Sequence, residues 1–306
     1  MKKRKIYPSQ VHHVCQQTIG GVLVFYSAMD YLVFFTIFCT VARRYGMQVL
    51  ALCPMPDHIH NVLVVPREEA LIRFVQQYTH LFAREWNLSR GRKGSLFKAR
   101  YKSSVKLGNK QVRTTLNYND NNPVERKIVL RAEDYRWNFL RYATEKQPFS
   151  APYRLSEQSA PFRGALKELQ TIHLGGGYLR YNQLLRWSRR LSEHQMQQLM
   201  DYAIALWNVI DYEQATAYYS SFSARIRSLH DNTGSDYDIQ EERNNWSDAI
   251  YRECTEILLR EGFIKDVFEI YALPPEIKQE AAKLLRCRTS AHLKQIQRFL
   301  HIVDDA

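Results

Sequence analysis

The first half of the chain alternates strand-like and helix-like stretches. The hydrophobic pattern predicts a strand over 11–17, a helix over 29–45 ended by Gly46, a strand over 48–53 and a strand over 59–65. A helix follows over 68–86, with Glu68 and Glu69 placed to favour its N-terminus. Next come a strand over 97–105 and a helix that carries Tyr118, in a segment free of Gly and Pro from Gln111 until Pro123, which is expected to stop it. The order β-α-β-β-α-β is that of the ferredoxin-like split motif, an α+β fold with an antiparallel sheet.

The second half reads differently. Between Gln147 and Gly177 lie Pro148, Pro152, Pro161, Gly164 and the run Gly175-Gly176-Gly177, so a domain over 1–147, a linker over 148–177 and a helical domain over 178–306 are expected. That last part is helix-like throughout, with a polar break at 230–236. Near the end, Pro274-Pro275 mark a helix start, and two amphipathic segments, 276–285 and 291–300, flank Arg286-Cys287-Arg288-Thr289-Ser290. Over 273–302 this pattern suits a DNA-reading helix-turn-helix or an ordinary helical hairpin.

A formal charge of +12 favours a polyanionic partner, with nucleic acid ahead of an anionic membrane surface. The cations Arg84, Arg90, Arg92, Lys93, Lys98, Arg100, Lys102 and Lys106 stand against the single acid Glu85 in that stretch. Arg100 and Lys102 alternate with Tyr101, as on one face of a strand turned toward phosphates, and Arg84 and Lys98 join them as candidate DNA contacts. The five cysteines, Cys15, Cys39, Cys53, Cys254 and Cys287, show no paired spacing, which points to a reduced cytoplasmic setting. The most apolar run, 31–41, is too short to span a bilayer and reads as a buried helix. Met1-Lys2-Lys3-Arg4-Lys5 lacks the apolar segment of a signal peptide and reads as a basic arm.

Two segments carry candidate chemistry. In Met55-Pro56-Asp57-His58-Ile59-His60 a turn passes into a strand. Side chains alternate faces there, so His58 and His60 point one way and Ile59 points to the core. Such a pair is a two-histidine metal clamp or two half-buried polar residues. The adjacent His12 and His13 face opposite sides and read as structural. On the later helix Tyr118 and Asn122, four apart, present a phenol and a carboxamide on one face, for chemistry or as a buried anchor and cap.

Taken together these segments resemble the REP-associated tyrosine transposases, of the single-tyrosine HUH (IS200-like) transposase family. The resemblance runs from about Tyr7 to Tyr142 and rests on four ordered motifs: Met55 to His60, Gly94-Ser95-Leu96-Phe97-Lys98-Ala99-Arg100-Tyr101-Lys102-Ser103, Tyr118 to Val124, and Glu133-Asp134-Tyr135-Arg136-Trp137. It departs after Val124, where Glu125-Arg126-Lys127 replaces a usual Arg-Ala-Gly, and at Asn121, commonly Leu. The resemblance implies an HUH endonuclease domain with the ferredoxin-like fold, here followed by an all-helical domain. It further implies cleavage of single-stranded DNA beside hairpins of palindromic repeats, through a covalent 5′-phosphotyrosine that leaves a free 3′-hydroxyl.

On that reading Tyr118 is the nucleophile, and His58, His60 and Asn122 hold Mg²⁺ or Mn²⁺ as a Lewis acid on the scissile phosphate. Lys283, Arg286, Arg288 and Lys294 of the helical half are candidates to clamp duplex DNA beside the hairpin. The expected partner is single-stranded or hairpin DNA in the cytoplasm, at the nucleoid, with monomer and homodimer both compatible. Three alternatives stand beside it: a domesticated hairpin-binding protein without catalysis, a replication or mobilisation nickase of the HUH class, and a metal-dependent hydrolase of unrelated fold taking Asp57 or Asp120 as further ligands.

Overall fold

The computed structural model describes residues 6–231 and 246–302; the N-terminal basic arm, and residues 232–236 of the expected polar break, lie outside the described residues. The elements of the first half follow in the expected order: β1 (Val11–Gln17), α1 (Ala28–Tyr45), β2 (Gln48–Met55), β3 (His58–Val64), α2 (Glu68–Ser89), β4 (Lys102–Lys106) and α3 (Gly108–Glu125). The sheet has the order β2-β3-β1-β4 with every neighbour antiparallel, so the fold of this half is ferredoxin-like.

Local chemistry sets the helix limits. Ser27 and Asp30 form a reciprocal capping box at the start of α1, and Gly46 ends it in the left-handed region at φ 63°. Residues 30–42 of α1 are buried almost without exception, as expected for the most apolar run of the chain. No helix among the described residues is long and apolar enough to cross a membrane.

Two boundaries differ from expectation. The strand foreseen over 97–105 is regular only from Lys102; Phe97 makes a single bridge to Thr18. Pro123 does not stop α3, which runs on to Glu125 with the proline inside it. A proline in the last turn forgoes one intrahelical hydrogen bond, and the Arg126 and Ile128 amides still close that turn on the carbonyls of Asn122 and Pro123.

Each face of the sheet has its own cover. Val14, Leu52, Ile59 and Leu63 belong to the main core with α1 and α2. Val11, Ala51 and Val62 pack on Val112 and Leu116 of α3. The second half is helical: α4 (Ala160–Leu174), α5 (Tyr181–Ser188), α6 (Glu193–Trp207), α7 (Tyr212–Thr216), α8 (Phe222–Asp231), α9 (Ile250–Arg260), α10 (Pro275–Arg288) and α11 (Leu293–Leu300). Phe162, Leu169, Leu184, Ile204 and Trp207 of α4 to α6 share the main core with α1. By contrast α9 to α11 close a second core around Ile257, Leu285, Ile296 and Phe299, which takes only Leu23 of the first half among its buried members.

Candidate active site

Strand pairing decides which side chains meet. Cys15 of β1 lies opposite His60 of β3, and His13 lies opposite Val62. Directly paired residues share a face, so His13, His58 and His60 all project toward α3. His13 Nε2 and His60 Nδ1 are 3.0 Å apart in a buried hydrogen bond. The rings of His58 and His60 stand edge to face at 4.7 Å, and those of His13 and His60 stack at 5.1 Å.

The helix α3 completes the cluster. The Tyr118 ring packs edge-on against His60 at 5.3 Å and against His13 at 5.6 Å. Residues 117–123 are all buried, because the helix is covered by the sheet on one side and by α8 on another. Its polar side chains find partners there: Asn117 Nδ2 donates to Ser228 Oγ at 2.7 Å, Asn121 Nδ2 to the Leu229 carbonyl at 2.8 Å, and Arg225 Nη2 to Asp120 Oδ2 at 2.8 Å. The polar Asn121, a departure from the resembled motif, thus ties the tyrosine helix to α8. Asn122 Nδ2 turns back to the Tyr118 carbonyl at 3.1 Å, which leaves Oδ1 as its atom for other partners.

His58 is oriented from the turn before it. Its Nδ1 lies 2.5 Å from Asp57 Oδ1, so the ring carries its proton toward the carboxylate and presents the lone pair of Nε2 on the opposite edge. Burial works to raise the Asp57 carboxyl, but His58, and at longer range Arg126 and Arg298, outweigh it and hold the group below the usual carboxylate range. Arg126, at the end of α3, stands 3.9 Å from Asp57 and 3.4 Å from Asp248. Arg298 of α11 reaches Asp57 at 3.9 Å. Burial pushes the Asp248 carboxyl up to about 6 against the pull of Arg126.

The donor set is compatible with a divalent ion. Two imidazoles share a strand face, and the one with a carboxylate behind it has the outer-shell partner that metal-bound histidines usually keep. Among the described residues no group of three or more His, Cys, Asp and Glu side chains is set to hold a metal. The unrelated-hydrolase arrangement loses its further ligands: Asp57 is bonded to the His58 ring, and Asp120 to Arg225 and Asn119.

The expected DNA-contact residues are dispersed. Lys98 and Lys102 line a cavity of about 270 Å³ beside His58. Arg84 and Lys98 line a groove of about 890 Å³ along α2, and Arg100 is exposed. Lys283, Arg286, Arg288 and Lys294 are exposed on α10 and α11. Sequence reasoning missed His13. It rightly held that His12 and His13 face opposite ways, but one of the two faces is that of the cluster. His12 faces away and bonds the Tyr7 carbonyl at 3.0 Å. The alternation of β1 could have paired His13 with the other imidazoles; nothing local could have found Asp248 or Arg298.

Residues 23–122, about a third of the chain, match the family model described as Transposase IS200 like. A solved structure described as a REP-associated tyrosine transposase bound to a REP hairpin is similar at 15% identity, with 45% of this chain and 81% of that chain covered and a TM-score of 0.37. No curated protein matches.

Proposed function

We propose that the chain is a single-stranded DNA endonuclease and strand transferase with Tyr118 as its nucleophile. The observation that carries this reading is the packing of the Tyr118 ring at 5.3 Å on His60, from an element almost sixty residues downstream. The IS200-like match over residues 23–122, the charge of +12 and the four ordered motifs support DNA as the substrate, with a hairpin beside the cut. The cluster is assembled within one chain, so a homodimer is not needed to complete it. Such a reaction places the protein in the cytoplasm, at the nucleoid.

In this mechanism the Tyr118 oxygen attacks the scissile phosphorus and the bond to the 3′-oxygen breaks. The phenol gives up its proton as the departing oxygen gains one, leaving a 5′-phosphotyrosine and a 3′-hydroxyl. A phenolate is a far better leaving group than an alkoxide, its acid having a pKa near 10, so the adduct stays activated for rejoining. His58 and His60, with Asn122 Oδ1, would hold Mg²⁺ or Mn²⁺, which supplies charge neutralisation at the non-bridging oxygens. Asp57 fixes the His58 tautomer and His13 fixes the edge that His60 presents. The exposed Lys283, Arg286, Arg288 and Lys294 would clamp duplex DNA flanking the hairpin.

The test is direct. With Mn²⁺ and a labelled hairpin oligonucleotide bearing a single-stranded tail, the wild-type chain gives a protein-linked DNA band on a denaturing gel, and Tyr118→Phe gives none. Persistence of the band in Tyr118→Phe overturns the assignment.

A further inference from the structure

The unit formed by α9 to α11 and the residues just before them has its own core, yet it docks beside Asp57. It takes hold of the first half at two places. The Leu23 amide donates to the Arg298 carbonyl at 3.3 Å, Tyr26 Oη to the Phe299 carbonyl at 2.6 Å, and His301 Nε2 to the Leu23 carbonyl at 2.8 Å. At the end of the tyrosine helix the Asp248 amide donates to the Arg126 carbonyl at 2.9 Å, and Ser247 Oγ to the Lys127 carbonyl at 3.1 Å. The first of these places is itself tied to the histidine turn, since the Val24 amide donates to the Pro56 carbonyl at 2.9 Å. Thr18 holds the Asp57 carbonyl from the other side, with its amide at 3.1 Å and its hydroxyl at 2.9 Å.

This docking gives each oxygen of the Asp57 carboxylate a guanidinium. Arg126 Nη2 stands 3.9 Å from Oδ1, the oxygen that is 2.5 Å from His58 Nδ1, and Arg298 Nη1 stands 3.9 Å from Oδ2. None of the side chains of Asp57, Arg126 and Arg298 is more than 16% exposed, so water screens their charges little. A carboxylate held by His58 alone could turn about its own bond. With a cation near either oxygen, turning away from the ring gives up both attractions. The two guanidiniums are themselves held. Asp248 Oδ2 lies 3.4 Å from Arg126 Nε, so Asp248 and Asp57 take different nitrogens of that group. Gly21 has φ of 68°, and a side chain there would meet Arg298 Nε at 3.0 Å, so the bare backbone gives that guanidinium its room.

We propose that Arg126 and Arg298 are positioning residues of the candidate site. They hold the Asp57 carboxylate against His58 Nδ1, which keeps the ring proton on that nitrogen and leaves Nε2 with its lone pair. The unit of α9 to α11 is the part of the chain that sets them, Arg298 directly and Arg126 through Asp248. That the lone pair meets a metal rests on the function proposed above; the setting of the ring does not. The helical half thus reaches the imidazole cluster through a chain of ion pairs that runs from Asp248 through Arg126 and Asp57 to His58.

Nitrogen NMR of the full chain, metal-free and carrying isotope-labelled histidine, tests it, with the His58 signals identified by their absence in His58→Gln. In the wild type His58 should be protonated at Nδ1. Arg126→Gln and Arg298→Gln should each turn that single form into a mixture of the two tautomers, and either variant decides if the other fails to fold. Tyr26→Phe, which loosens the same docking by one hydrogen bond, should leave the tautomer unmoved. Mn²⁺ binding, followed by the electron paramagnetic signal of the free ion, should weaken a few-fold in each guanidinium variant, less than the roughly 10–100-fold for loss of the outer-shell partner itself. In an Asp57→Asn background neither variant should weaken it further, because residues that act through one another do not add. An unchanged tautomer in a folded guanidinium variant, an equal change in Tyr26→Phe, or full additivity with Asp57→Asn would overturn the proposal. The covalent-band assay stands apart: a wild type that forms no adduct yet shows these tautomer changes refutes the nuclease reading and keeps the positioning chain.

Discussion

Arg225 of α8 and Asp120 of α3 form a buried ion pair at 2.8 Å, with side chains only 2% and 1% exposed. The carboxylate, two residues past the candidate nucleophile, also accepts from Asn119 Nδ2 at 3.2 Å. The pair therefore fixes the helix that carries Tyr118 from the side away from the sheet. It also makes the second half of the chain a structural partner of the site.

Removing one member leaves an uncompensated charge in a dry interior, whereas replacing both with apolar residues of similar volume removes the problem altogether. Arg225→Ala is expected to destabilise the fold by about 3–5 kcal/mol in chemical denaturation. The double variant Arg225→Met with Asp120→Leu should recover most of that loss. If the single and double variants unfold at the same denaturant concentration, the pair does not hold the helix.

Asp57 acts on the site through His58. Asp57→Asn keeps the shape but takes away the charge 2.5 Å from Nδ1. Loss of such an outer-shell partner typically weakens metal affinity by about 10–100-fold. Mn²⁺ titration of the adduct reaction should show the midpoint moving up by that order, while the adduct yield at saturating Mn²⁺ stays within a few-fold of wild type. An unmoved midpoint means that Asp57 does not orient the ligand.

Asp248 gives a pH signature of definite sign. Its carboxyl is pushed up by burial to about 6 in the folded chain, against about 3.9 when unfolded. The folded state thus holds the proton over an interval in which the unfolded state has lost it. The contribution to stability is complete below about pH 4 and is lost as pH rises through 6, by about 3 kcal/mol in all. Asp248→Asn should lie close to wild type at pH 4 and be the more stable of the two at pH 7. Thermal melts across that range check it; parallel curves would contradict the assignment.

How much of this was legible beforehand follows from which interactions are local. The period-2 and helical patterns, the cap at Gly46 and the turn at Pro56-Asp57 placed the elements of the first half, and alternation alone put His58 and His60 on one face with Ile59 in the core. Arg225, Asp248 and Arg298 were invisible, since each reaches the cluster from more than a hundred residues beyond its partner, and only tertiary packing brings them there. Lys127 is an intermediate case. It takes φ of 53° where the resembled motif has Gly, so the departure was visible in sequence but its backbone consequence was not.

The neighbours His12 and His13 provide an internal control, because two adjacent buried imidazoles face opposite sides of one strand. His13 Nε2 bonds His60 Nδ1, which leaves Nε2 of His60 for other work, and its ring supports the edge of Tyr118. His12 Nε2 instead joins the backbone of Tyr7, where it braces the approach to β1. His13→Phe keeps a ring of similar bulk but removes the hydrogen bond, so the covalent adduct should form at least about tenfold more slowly, the lower end for a lost outer-shell contact. Oligonucleotide affinity should be unchanged, since no phosphate contact is assigned to His13. His12→Gln should lower stability by about 1 kcal/mol, the usual net worth of one hydrogen bond, and leave the adduct rate within twofold or so. Equal rate losses in the two variants would show that the effect travels through strand stability and would remove His13 from the site.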